Sequence, residues 1–181
     1  MSLFYKRATL YILLVSTIAM IVLLLLQGRP LHTAATPHGI ISLEFAATAT
    51  AVEAVLESWS EAALPGQNII TIAENNTWLD FIFLFCYSLF LFTAARQLST
   101  FFSAKKLFNT VGYAALLSGI LDIAENIGML RSLQGSINDT TAFMTAIAAY
   151  FKWIIVLAVL LFLLAGFILK LVNGKRGGDL N

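Results

Sequence analysis

The sequence predicts an all-α fold, an integral membrane four-transmembrane-helix bundle with an extracytoplasmic amphipathic helix. Hydrophobic residues make up 59% of the 181 residues and charged residues only 12%, far from the usage of soluble domains. The apolar residues fall into four stretches that are each long enough to cross a bilayer. Basic residues gather at alternate ends of these stretches. We therefore expect residues 1–181 to form a single membrane domain.

The first apolar stretch, residues 8–26, follows Lys6 and Arg7. It is longer than the roughly 7–15 apolar residues of a signal peptide, so we expect it to be a retained membrane anchor. The other transmembrane helices are predicted at residues 78–95, 107–130 and 145–169.

The basic residues predict how the chain is oriented. Only Arg29 and Arg131 lie on one side if the four stretches cross in turn, and Lys152 lies within the fourth stretch. The positive-inside rule then predicts a multi-pass protein of the bacterial inner (cytoplasmic) membrane with both termini cytoplasmic. A formal net charge of +1 gives no reason to expect nucleic acid as a partner, so the lipid bilayer is the expected one. The other eight of the 11 basic residues share the predicted cytoplasmic side: Lys6, Arg7, Arg96, Lys105, Lys106, Lys170, Lys175 and Arg176.

The connection between the first two crossings contains the predicted amphipathic outer helix, residues 39–62. Thr36-Pro37 precedes it, and Leu64-Pro65-Gly66 ends it. At 100° per residue one face carries Glu53, Glu57 and Glu61. We expect this helix to lie at the outer membrane boundary, packed on the bundle. Its opposite face carries Ile41, Glu44, Thr48, Val52, Val55 and Trp59.

The third stretch contains Asp122-Ile-Ala-Glu125-Asn126, two carboxylates and an amide where a transmembrane helix tolerates few. An ionisable side chain at this depth costs several kcal/mol without a partner, so it marks a working site or an internal clamp. At about 1.5 Å per residue from the basic helix ends, Asp80, Asp122, Glu125 and Lys152 all fall within about 8 Å of the outer boundary. The sequence therefore predicts one polar layer shared by three helices.

Four carboxylates, those of Glu44, Asp80, Asp122 and Glu125, would face a single certain cation, Lys152, in this layer. Crowded carboxylates in a low dielectric repel one another, so at least one is expected to hold a proton, or the layer to hold a cation. Alternatively, the layer is structural: Lys152 pairs with one carboxylate and the other acids reach water at the headgroups.

Two further side chains are assigned to the predicted site. Asn126 is expected to orient the acids or a neighbouring helix by hydrogen bonding. His38, in the loop before the outer helix, is a candidate ligand or proton carrier because histidine is the side chain suited to exchanging protons near neutral pH. No pair of His or Cys residues at ligand spacing supports a transition-metal site.

Four motifs lie at Thr36-Pro37-His38-Gly39-Ile40, Leu43-Glu44-Phe45-Ala46, Leu79-Asp80-Phe81 and Leu121-Asp122-Ile123-Ala124-Glu125-Asn126. Together they resemble small bacterial four-helix integral membrane proteins of uncharacterised function. The resemblance reaches to Arg131 and implies a four-helix membrane bundle, but it implies no substrate or cofactor. It also implies a polar set of Glu44, Asp80, Asp122, Glu125 and Asn126. A looser likeness, at the level of fold alone, is to sterol-isomerase-like bundles, which place acids in a membrane pocket for an amphiphilic amine or carbocation.

Three functions fit these patterns. The leading hypothesis is an anionic pocket in the outer half of the bilayer that binds a cationic or amphiphilic small molecule, or a proton. The second is a structural or assembly subunit whose buried acids clamp the helices and whose outer helix docks a membrane-protein partner. The third is an intramembrane enzyme that uses a protonated carboxylate on a lipid-like substrate. The sequence identifies no catalytic residue, and a ligand-sized cavity among the acids would favour the first hypothesis over the second.

Overall fold

The computed structural model describes residues 3–63, 66 and 68–176, and this part of the chain is helical with connecting turns. Four long helices are long and apolar enough to cross a membrane, which confirms the predicted helical class and number of candidate crossings. The six α-helices are α1 (Arg7–Gln27), α2 (Ile41–Glu44), α3 (Ala49–Glu61), α4 (Ile69–Leu98), α5 (Lys105–Leu133) and α6 (Asp139–Arg176).

α4 and α6 begin before the predicted crossings because polar residues start their first turns. α4 already begins at Ile69, where the Asn68 side chain accepts a hydrogen bond from the Thr71 backbone N–H. Thr141 N–H likewise donates to the Asn138 side chain in the first turn of α6. A hydropathy pattern does not detect these polar turns.

The bundle is ordered α1, α4, α5, α6, with α4 and α5 in the middle. At one end Gln97 Nε2 donates to the Lys6 carbonyl at 2.9 Å, and Arg96 Nη1 donates to Asn109 Oδ1 at 2.5 Å. We call this the basic end, defined by Lys6, Arg7, Arg96, Lys105, Lys106 and Lys170. Lys175 and Arg176 were also predicted on this side, and their side chains lie outside the described part.

The opposite end of α1 is held to α4 by a small polar network. Asn76 Nδ2 donates to Gln27 Oε1 at 2.6 Å and to the Leu24 carbonyl at 3.1 Å. Gln27 Nε2 donates in return to the Ile72 carbonyl at 2.8 Å. These bonds compensate for the sparse packing of α1, in which Thr17 is the one buried side chain.

Small residues on α5 let both neighbouring helices approach closely. A Cβ added to Gly119 would lie 3.0 Å from Ser88 Oγ of α4, and one on Gly128 would overlap Thr145 Oγ1 of α6. Thr145 cannot turn away freely, since its hydroxyl donates to the Thr141 carbonyl at 2.8 Å. Gly119 therefore lets α5 contact α4 closely, and Gly128 extends the close packing to α6.

The predicted single outer helix, residues 39–62, is wrong in its continuity. The structure has two helices, because the backbone is extended at Thr48 and the Thr48 side chain accepts a hydrogen bond from Ala51 N–H to start α3. Asp139 Oδ1 of α6 accepts another hydrogen bond from Ala49 N–H at 2.7 Å. The predicted end of the outer helix at Leu64-Pro65 lies outside the described residues.

The break also changes which residues share a buried face. Ile41 and Thr48 were expected on the packed side and are exposed, whereas Glu44 is buried. Within α3, Val52 is buried on the packed side. Glu53, Glu57 and Glu61 are all exposed.

Trp59 of α3 packs against the loop that precedes α2. Its side chain is fully buried, and its Nε1 donates to the Leu31 carbonyl at 2.9 Å and to Thr36 Oγ1 at 3.1 Å. Trp59 thus attaches α3 to the loop that follows α1.

We predict that Gly128→Ala lowers the free energy of unfolding by about 1–3 kcal/mol, because the new methyl group overpacks the α5–α6 contact. Thermal unfolding of the purified protein in detergent measures this. Ala124→Val is the matched control, since it adds volume on an exposed position of the same helix. An equal melting temperature for wild type and Gly128→Ala would contradict the close approach of α5 and α6.

Candidate functional site

The site is built on α5, where Asp122, Glu125 and Asn126 are spaced three and four residues apart. This spacing places them on one flank of the helix, about one turn apart. Glu125 and Asn126 differ by about 100° around the helix axis, so they face different neighbours. Glu125 reaches α6, and Asn126 reaches α4.

Lys152 of α6 lies among three carboxylates. Its Nζ donates to Glu125 Oε1 at 2.7 Å and to Asp122 Oδ1 at 3.1 Å, and it lies 3.5 Å from Glu44 Oε2. The exposed fractions are 0% for Glu125, 1% for Asp122 and 7% for both Glu44 and Lys152. A water-poor environment strengthens these attractions, although removing each charge from water is costly.

Two further contacts complete what we call the acid–lysine cluster: Glu44, Asp80, Asp122, Glu125, Asn126, Lys152 and Trp153. Asn126 Nδ2 donates to Asp80 Oδ2 of α4 at 2.7 Å. Trp153 Nε1 donates to Glu44 Oε2 at 3.1 Å. The Lys152 ammonium lies 5.4 Å from the centre of the Trp153 ring, a cation–π distance. The cluster therefore joins α2, α4, α5 and α6.

Acceptors outnumber donors in this cluster. Four carboxylates and one ammonium leave three negative charges if every group ionises. Two buried acceptor atoms, Glu125 Oε2 and Asn126 Oδ1, have no hydrogen-bond partner within the described part of the chain. A buried acceptor without a donor costs about 1–3 kcal/mol, so the cluster favours an added proton or cation.

Two cavities among the described residues lie away from the cluster. One, of about 320 Å³, is lined by apolar residues of α5 and α6 that include Val111 and Phe162. The other, of about 240 Å³, lies between the α4–α5 connection and α6, next to Phe102 and Gly166. The space between the acids is instead occupied by the Lys152 and Asn126 side chains.

The structure brings together six of the seven predicted site residues: Glu44, Asp80, Asp122, Glu125, Asn126 and Lys152. The seventh, His38, is exposed in the loop before α2, and its side chain makes no hydrogen bond to the described residues. Neither Arg29 nor Arg131 forms an ion pair there. Within the described part of the chain, no group of three or more His, Cys, Asp or Glu side chains is placed to hold a metal ion.

Sequence reasoning missed two aromatic residues near the site. Trp153 donates a hydrogen bond to Glu44, and its position directly after Lys152 was an available signal. The second aromatic residue is Tyr87 of α4. It is buried two helical turns after Asp80 on the same side of α4, and its hydroxyl has no hydrogen-bond partner in the part described.

Comparison with known proteins finds no matching family model, no matching curated protein and no matching solved structure.

We predict that Lys152→Met lowers the free energy of unfolding by about 3–5 kcal/mol, because it leaves buried carboxylates without a counter-charge. Adding Asp122→Asn and Glu125→Gln to this variant should restore a large part of the loss. Thermal unfolding in detergent compares the two variants with wild type.

Lys106→Met is the matched control, since Lys106 is exposed and forms no ion pair in the described part. It should leave the melting temperature nearly unchanged. Losses that simply add in the triple variant would show that Lys152 stabilises the fold independently of Asp122 and Glu125.

Proposed function

We propose that this protein is a small multi-pass membrane protein that binds a proton at the acid–lysine cluster, in the half of the bilayer that faces α2 and α3. The observation that carries the proposal is the surplus of buried acceptors around Lys152, with Glu125 Oε2 and Asn126 Oδ1 unpartnered. Most basic residues lie at one end of the bundle, which favours an orientation with this basic end in the cytoplasm.

A proton fits this cluster better than a larger ligand. The Lys152 ammonium already occupies the position between the carboxylates that a bound cation would take. The 320 Å³ and 240 Å³ cavities lie elsewhere and are lined mainly by apolar side chains. A proton needs no cavity, and it turns one carboxylate into a neutral donor.

The outer side offers the shorter route for proton exchange. Asp80 is half-buried, and Glu44 belongs to the short helix α2, outside the four long helices. Asp122 and Glu125 lie deeper, at 1% and 0% exposure. We therefore assign Glu44 and Asp80 to proton exchange with the outside and the Asp122–Glu125 pair to proton storage beside Lys152.

Infrared spectroscopy of the protein in lipid at neutral pH tests this assignment. The wild type should show the C=O absorption of a protonated carboxylic acid, because the surplus acids cannot all ionise beside one ammonium. Glu125→Gln should remove or weaken that absorption. Glu57→Gln, which changes an exposed acid of α3, should leave it unchanged.

The absence of any carboxylic-acid absorption in the wild type at neutral pH would refute the proton-binding site. An absorption that survives both Glu125→Gln and Asp122→Asn would assign the proton to Asp80 or Glu44. It would overturn the storage role of the Asp122–Glu125 pair.

A structural role in an assembled membrane complex is the second candidate, and the filled space between the acids favours it. In that case the cluster serves to clamp α2, α5 and α6. The protein would then fulfil its role through its surface rather than through a bound proton.

The melting temperature of Glu125→Gln separates the two candidates. An unchanged or higher value is expected for a proton-binding site, because glutamine resembles the neutral, protonated form of Glu125 and keeps one acceptor oxygen for Lys152. A fall comparable to that of Lys152→Met would favour the clamp.

An enzyme acting on a lipid-like substrate receives the least support. A general acid must lie within hydrogen-bonding reach of its substrate, and the carboxyl groups of Asp122 and Glu125 are enclosed by protein side chains.

A further inference from the structure

A second site is suggested by an apolar groove at the basic end. This groove, of about 240 Å³, lies between the α4–α5 connection and the last turns of α6. The side chains that line it include Phe102, Leu107, Phe108, Phe162 and Leu169. Ser103 and Ala104 also line it, and they lead directly into α5 at Lys105.

Lysines of α5 and α6 directly follow residues that line the groove. Lys105 and Lys106 are exposed in the first turn of α5, immediately after the lining residue Ala104. Lys170 follows the lining residue Leu169, and its Nζ lies 3.6 Å from the centre of the Phe101 ring. The positive end of the α5 dipole adds to the charge of the two lysines.

The described part of the chain supplies no acid to balance these cations. α1 contains no Asp or Glu, α4 has none after Asp80, and α5 has none before Asp122. α6 has none after Asp139 up to Arg176. The three lysines form no ion pair with the described residues. Any anion bound to these lysines therefore comes from outside the described residues.

We infer that this groove binds an anionic phospholipid of the leaflet at the basic end, with an acyl chain along Phe102, Phe108 and Phe162 and the phosphate beside Lys105, Lys106 and Lys170. An apolar slot next to uncompensated cations matches the two parts of such a lipid. A free anion would leave the apolar lining unused, and a neutral lipid would leave the cations unbalanced. This inference is independent of the proton bound at the acid–lysine cluster.

Lipid binding to the purified full-length protein in neutral detergent tests the site. Phosphatidylglycerol and phosphatidylcholine with identical acyl chains are titrated, and retained lipid is measured by native mass spectrometry together with the melting temperature. We expect tight binding and stabilisation with phosphatidylglycerol only. Lys105→Gln/Lys106→Gln should weaken that binding by at least about tenfold, from about 1 kcal/mol per lysine.

Two variants show whether the groove itself is needed. Lys6→Gln/Arg7→Gln removes the same charge from the basic end away from the groove, and it should retain binding. Ala165→Phe keeps every charge but places a bulky side chain at an exposed position that lines the groove, so it should displace the lipid.

Equal weakening by the two charge variants would overturn the groove site in favour of diffuse attraction to anionic lipid. Unchanged binding by Ala165→Phe would remove the acyl-chain part of the site. The same stabilisation by inorganic phosphate alone would show an anion site rather than a lipid site.

Discussion

The ammonium group of Lys152 is the interaction on which the middle of this bundle depends. It is bonded to Glu125 and Asp122 of α5 and lies 3.5 Å from Glu44 of α2, so one side chain of α6 attaches two other elements. Each carboxylate loses hydration on burial, and the shared cation is the main compensation in the described cluster. Asn126 extends the same arrangement to Asp80 of α4. Because these groups are enclosed, any change in their protonation acts on four helices together.

The acid–lysine cluster needs the close helix packing around it. Gly128 lets α5 meet α6 within one turn of Glu125, and Gly119 lets α5 meet α4 within one turn of Asp122. Side chains at these two positions would separate the helices, lengthen the bonds to Lys152 and admit water. The break at Thr48 has a comparable effect outside the bundle, since it lets α2 direct Glu44 inward while α3 keeps its glutamates in solvent.

Opposite charges are separated along the molecule. The described acids lie in the cluster or towards the end that carries α2 and α3, while six of the described cations form the basic end. This separation supports two independent sites: one with surplus acids around Lys152, and one with surplus cations beside an apolar groove. Both proposals follow from charges that their own surroundings do not balance.

The sequence by itself determined the helical class, four helices long enough to cross a membrane, and a common height for Asp80, Asp122, Glu125 and Lys152, because helical rise and hydropathy depend on local order alone. It could not determine that Trp59 bonds the Leu31 carbonyl or that Trp153 bonds Glu44, since both depend on partners distant in the chain. The break of the outer helix was also decided by tertiary structure, where Asp139 of α6 caps α3 beside Thr48. Whether the acids enclose a cavity or another side chain depends on how closely α5 and α6 approach. That distance is set by tertiary packing at Gly128, and the pattern of residues alone does not give it.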